Sequence, residues 1–140
     1  AGTALRTNFF GKSHAAGRAS FTDWLSAEAR RGGPMTLLKD VFFSPLSIDT
    51  LCRVIQRTLE APRRGVFNAG SRQGMSKRDF SHAVAARLGL SLAAARDGTQ
   101  DDLKLSARRP KGMMMDSGPF ARAFRLTLPS LVEEIQTAEL

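Results

Sequence analysis

A chain of 140 residues, 42% hydrophobic and 24% charged, has the size and make-up of one globular domain with a real core. No apolar run approaches the roughly 18 residues that a membrane span needs, and the opening Ala-Gly-Thr-Ala lacks the basic and apolar regions of a signal peptide. A net charge of +8 invites polyphosphate partners, but the 21 basic residues are scattered. They fall mostly in pairs, such as Arg30-Arg31, Arg63-Arg64, Lys77-Arg78 and Arg108-Arg109, which argues for solvated helix faces and against a nucleic-acid binder.

Cys52 is the only cysteine, so an internal disulfide is excluded and a reducing, cytoplasmic setting is expected. A start without Met leads us to expect either an engineered piece or a natural fragment of a longer protein.

Thr3 to Phe10 is rich in β-branched and aromatic residues and ends at Gly11, the pattern of a buried strand emptying into the loop Gly11 to Gly17. In open α/β sheets ligands sit at such strand ends. Ser20 and Asp23 form a capping-box pattern that opens a helix, with Phe21, Trp24, Leu25 and Ala29 on one face and Arg30-Arg31 before Gly32 at its end. Met35 to Leu38 reads as a short strand, and Val41-Phe42-Phe43 as an extended run stopped at Ser44-Pro45.

Ser47 caps a second helix with Asp49 in its first turn. Ile48, Leu51, Cys52, Ile55 and Leu59 recur at helical spacing, so this stripe is expected to face the core and Cys52 to be a core residue. Arg63-Arg64-Gly65 turns the chain into Val66 to Gly70, which reads as a second buried strand ending in glycine. Ser76 and Asp79 start a third helix carrying Phe80, Ala83, Val84 and Leu88, with His82 on the surface. Leu92 to Ala95 reads as a strand and Asp97 to Asp102 as a polar loop. Met113-Met114-Met115 looks like core filler beside a ligand cleft. Asp116 or Ser117 caps a short helix through Phe124, and Ser130 with Glu133 opens the last one.

Most familiar chemistries are missing. Gly11-Lys12-Ser13 resembles the tail of a phosphate loop, but the glycine required five positions earlier is Arg6. No Gly-x-Gly-x-x-Gly, no Gly-x-Ser-x-Gly elbow and no metal-ligand spacing occur, and there is no tyrosine at all. Arg108-Arg109-Pro110 is the most informative polar feature. Two guanidiniums on a proline-stiffened turn can clamp a diphosphate, although an ordinary surface pair reads the same.

Taken in order, Leu5-Arg6-Thr7-Asn8-Phe9-Phe10-Gly11, Asp40 to Leu46, Gly65 to Ser71, Ser76 to Phe80 and Ala107 to Pro110 ahead of Met115-Asp116 resemble the C-terminal half of an extended short-chain dehydrogenase/reductase. The branch it is most similar to binds sugar nucleotides and includes dTDP-4-dehydrorhamnose reductase. The resemblance runs over essentially all 140 residues. It implies an α/β fold: the C-terminal part of a Rossmann-like NAD(P)-binding fold with two parallel strands, plus most of a small α/β substrate lobe. Residues 1–11 and 47–70 would be Rossmann-sheet elements, and 12–46 and 71–140 the substrate-binding lobe.

The resemblance also implies NADP or NAD as cofactor, bound mainly by sequence outside this chain, and a nucleotide-diphosphate sugar as substrate. The family's Tyr-x-x-x-Lys, in which the tyrosine moves the proton at the sugar oxygen, would precede Ala1, so no catalytic residue is expected here. Thr7 and Asn8 would lie under the cofactor, and Asn8, Phe9, Phe43, Arg108 and Arg109 against the substrate. Gly112 to Met115 departs from the small polar residue and Leu-Asp usual in the reductases. Alternatives are an epimerase or dehydratase of the same type, or a non-catalytic module similar to the regulatory subunit of methionine adenosyltransferase. Separated from an N-terminal Rossmann portion, the two strands are expected to drive strand exchange or homo-oligomer formation, or to leave the Gly11–Gly17 loop disordered.

Overall fold

A computed structural model describes residues 2–103, 105–107 and 109–140. The chain begins with β1 (Thr3–Thr7), β2 (Phe9–Phe10), α1 (Phe21–Arg31), β3 (Met35–Leu38), β4 (Phe42–Phe43) and β5 (Leu46–Ser47). It continues through α2 (Ile48–Glu60), β6 (Gly65–Ala69), β7 (Met75–Ser76), α3 (Lys77–Leu88) and β8 (Ala95–Gly98). A 3-10 turn (Gln100–Asp102), β9 (Gly112–Met113), α4 (Gly118–Phe124) and α5 (Leu131–Thr137) complete it. No described helix is long and apolar enough to cross a membrane.

These elements form two compact units. The first contains Ala1–Phe10, Ser44–Gly74 and Met114–Glu139, and the second Gly11–Phe43, Met75–Met113 and Leu140. Residues 114–139 thus pack in the unit that holds β1 and β6.

In the first unit β1 and β6 pair in parallel, from Thr3 opposite Gly65 to Thr7 opposite Ala69. The run expected as one strand from Thr3 to Phe10 breaks at Asn8. Its last two residues form β2 and pair instead with Leu46 and Ser47 of β5. The core is Leu46, Val54, Ala69, Phe120, Phe124 and Leu128, with Leu5 and Phe67 packed against it. The Phe67 ring meets Phe124 edge-on at 5.1 Å, and Phe124 stacks on Phe120 at 4.7 Å.

Here α2 overturns the expectation for its apolar stripe. Its buried face is Thr50, Val54 and Thr58, while Ile48, Cys52, Ile55 and Leu59 are exposed. Helical periodicity identifies which residues share a face but not which face the chain itself covers. The covered face accommodates threonine because each hydroxyl is bonded: Thr50 Oγ1 donates to Glu134 at 3.1 Å, and Thr58 Oγ1 to the Val54 carbonyl at 2.8 Å.

In the second unit α1 starts at the expected capping box, where the Ser20 side chain accepts from the Asp23 amide and the Asp23 carboxylate accepts from the Ser20 amide. It stops at Gly32, whose φ of 63° is the left-handed conformation that favours glycine. Met35 to Leu38 is a strand as expected, and its parallel partner is β8, with Met35 opposite Ala95. The expected strand at Leu92 to Ala95 is therefore displaced. The ladder uses Ala-Arg-Asp-Gly, and the polar run Asp97 to Asp102 contributes a strand end and a 3-10 turn. Pairing with β3 outweighs the weak intrinsic strand preference of those residues. β4 lies between β7, antiparallel, and β9, parallel. Leu25, Met35, Leu37, Val41, Phe43, Phe80 and Val84 form the core of this unit.

Candidate functional site

In the first unit the carboxyl ends of β1 and β6 gather the polar groups that the core leaves over. Thr7 and Asn8 end β1, both half-buried. The Asn8 carbonyl accepts from the Leu46 amide at 3.0 Å, but its side-chain Oδ1 is shielded from solvent and has no hydrogen-bond partner. Ser71, just past β6, carries a second such orphan at its hydroxyl. Buried acceptors without partners are rare in native folds and mark places where a donor belongs. Phe9 is 60% exposed, an aromatic face turned to solvent beside the orphaned amide.

The chain is tightly drawn at Gly70. A Cβ there would stand 2.7 Å from the Ser44 carbonyl oxygen and 3.1 Å from Met115 Cε. Its amide donates to Ser117 Oγ at 2.8 Å, and that hydroxyl donates back to the Gly70 carbonyl at 2.9 Å. Buried Ser44 joins the same knot, its Oγ accepting from the Met115 amide at 2.9 Å. A hollow of about 350 Å³ opens beside it, lined by Ser71 to Gly74 and Met114 to Gly118 among others. Gln73 takes a φ of 52° on its rim, unusual for a residue with a side chain. Met114 is exposed and Met115 half-buried, so this methionine run edges a hollow and Met114 is not core filler.

In the second unit Phe43 is buried, its ring edge-on to Phe80 at 5.1 Å. Arg109 is exposed, and its carbonyl accepts from Gln100 Nε2 at 2.7 Å, which anchors the turn carrying the guanidinium. Arg108 lies outside the described residues. Lys77, which sequence reasoning did not single out, stands with its amine 5.5 Å from the Phe21 ring centre and 6.0 Å from that of Phe43. Burial, and then the positive charge of Arg109, hold its ammonium below the usual lysine range. The available signal was its place: a cation at the first position of a helix opposes the helix dipole.

A separate charge cluster fixes the loop before β9. Lys111 Nζ bonds Asp40 at 2.7 Å and Asp101 at 2.8 Å, while Asp40 Oδ1 accepts from the Gln100 amide at 2.9 Å. The Lys111 hydrogen bond is the main reason that Asp40 stays protonated only below the usual carboxylate range; in turn, Asp101 and then Asp40 raise the Lys111 amine. Among the described residues no group of three or more His, Cys, Asp or Glu could hold a metal ion.

Thus Thr7, Asn8 and Phe9 lie together in the first unit, and Phe43 and Arg109 in the second, around Lys77. The arrangement, mixed α/β with parallel strand pairs, matches part of a Rossmann-like fold.

Three solved structures make the likeness particular. The dTDP-4-dehydrorhamnose reductase of Bacillus anthracis, in complex with NADP, superposes with a TM-score of 0.84 at 15% identity, over 96% of this chain and 46% of that one. The enzyme of the same name from Clostridium acetobutylicum gives 0.80 at 16% identity, over 96% and 46%. The UDP-glucose 4-epimerase of Thermotoga maritima, with UDP-glucose, gives 0.71 at 16% identity, over 96% and 43%. At such identities the likeness is one of fold, and the chain spans less than half the length of these structures. No family model matches the chain, and no curated protein matches it by sequence.

Proposed function

We propose that this chain is the substrate-binding portion of an NAD(P)-dependent nucleotide-sugar reductase of the dTDP-4-dehydrorhamnose reductase type. The glycine fingerprint and the Tyr-x-x-x-Lys pair would be carried by an N-terminal Rossmann portion outside this sequence. Thr7 and Asn8 would meet the nicotinamide end of the cofactor. Phe9 would bound the sugar, while Phe43, buried against Phe80, would act only as core behind the substrate lobe's surface; Arg109 with its neighbour Arg108 would hold the diphosphate. When bound, the nicotinamide supplies the hydride. This chain's own residues orient the sugar nucleotide and neutralise its charge.

The observation that carries the reading is the apolar surface left without a cover in the first unit. Ile48, Ile55 and Leu59 stand out from α2, and Ala4 and Val66 from the paired strands, with Leu59 76% and Val66 59% exposed. A parallel pair is ordinarily one piece of a sheet covered on both faces. A further Rossmann portion is the natural cover.

The test is calorimetric and kinetic. The chain should bind dTDP, and Arg109→Ala should weaken binding by about 10- to 100-fold, the worth of a charge-assisted hydrogen bond. Mixed with NADPH and a dTDP-4-keto-6-deoxysugar, the chain alone should give no turnover. Measurable turnover, or dTDP affinity indifferent to Arg109, refutes the reading.

A further inference from the structure

The second unit contains a hollow of about 340 Å³ between α1, β3 and α3. Its floor is apolar, with Met35 and Leu37 buried beneath it, and Leu38 and Leu103 complete the lining. One wall is the aromatic pair Phe21 and Trp24, stacked at 5.8 Å and 23°. Among the described residues of the lining the single charge is Lys77.

That charge has no ion-pair partner among the described residues, and the carboxylates on α3, β8 and the loops beside them pair with other cations. Asp79 and Asp97 lie at 3.9 and 3.2 Å from Arg78, and Asp40 and Asp101 hold Lys111. The Lys77 amine instead faces ring systems, 5.5 Å from the centre of Phe21 and 6.0 Å from that of Phe43. A half-buried ammonium over aromatic faces is attracted by their quadrupoles, but this compensates only part of the lost hydration.

We propose that this hollow is a binding site for a small aromatic carboxylate, its ring lying against Phe21 and Trp24 over the Met35–Leu37 floor and its anionic group paired with Lys77. The volume is that of an ordinary small-molecule site, apolar with one polar group to fix orientation. An anion there supplies the missing counter-charge and relieves the like-charge repulsion between Lys77 and Arg109. A neutral ligand of the same shape fills the floor without relieving either. This goes beyond the nucleotide-sugar reading and does not depend on it, since a sugar nucleotide offers no monoanionic aromatic acid.

Trp24 is the only tryptophan of the chain, so its fluorescence reports on this wall alone. Titration with 2-naphthoate should quench it saturably, with an affinity about tenfold or more above that of 2-naphthamide, as expected for one charge-assisted contact. Lys77→Met, which keeps the stem and removes the charge, should bring the two affinities together, and Lys77→Arg should keep the carboxylate preference. Absence of saturable quenching, equal affinities in the unaltered chain, or a preference that survives in Lys77→Met would each overturn the proposal. The comparison of acid and amide in the unaltered chain holds whether or not a variant folds.

Discussion

The orientation of α2 can be tested with two truncations on one helix. Val54 is 0% exposed and Leu59 76% exposed. Val54→Ala removes two buried carbons, about 1.6 kcal/mol by transfer, and roughly 2.5 kcal/mol once the cavity in a core of Leu46, Phe120 and Phe124 is counted. Leu59→Ala removes three carbons of which only about a quarter of the surface is covered, so it should cost about 0.6 kcal/mol. Equilibrium urea unfolding at low protein concentration measures both, and the midpoints should differ with an unchanged slope. If the apolar stripe were the buried face, as periodicity alone suggests, the ranking would reverse. A cost for Leu59→Ala equal to or above that of Val54→Ala refutes the orientation. Joined to a Rossmann portion that covers α2, the Leu59→Ala cost should rise to about 2 kcal/mol, whereas Val54→Ala should stay where it was.

Two further predictions follow from the sites. Gly70→Ala should destabilise by roughly 1–3 kcal/mol in thermal melts, because its Cβ would meet the Ser44 backbone at 2.7 Å and the knot with Ser117 would have to open. Asp40, held ionised mainly by the Lys111 hydrogen bond, has a folded pKa below its unfolded one, so the stability it contributes is complete above about pH 4 and lost as pH falls through the depressed value. Lys111, raised by Asp101 and Asp40, contributes fully below about pH 10.4 and loses its contribution as pH rises through the raised value. Asp40→Asn should therefore flatten the stability profile at both extremes in urea titrations across pH. An acid limb identical to that of the unaltered chain would disprove the assignment.

Local punctuation made much of this fold readable. Ser20 with Asp23, Ser47, and Ser130 with Glu133 cap the helices that they announce, and Gly32 and Gly89 end theirs in the left-handed region. Those signals work because each satisfies helix-end groups within a few residues. At Ala95–Gly98 no local signal existed. That strand is made by its pairing with Met35–Leu38, some 60 residues away in the chain, and a polar tetrapeptide does not advertise a distant partner. Asn8 is similar: its residue type fits the expected strand end, but the orphaned Oδ1 follows from the break between β1 and β2, which only the pairing with Leu46 reveals.

Charge was read least well, and for a physical reason. Arg109 was conspicuous as half of an Arg-Arg-Pro step, while Lys77 looked like one member of another scattered basic pair. Burial separates them: Arg109 is open to water, whereas Lys77 sits half-buried over Phe21 and Phe43, where a charge is felt more strongly and has no acid paired with it among the described residues. The neighbour that completes the pair, Arg78, is neutralised by Asp97 at 3.2 Å. Two adjacent cations that are equivalent in composition thus differ in what they can do for a ligand. Arg78 ties α3 to β8, and Lys77 is free to meet an anion from outside.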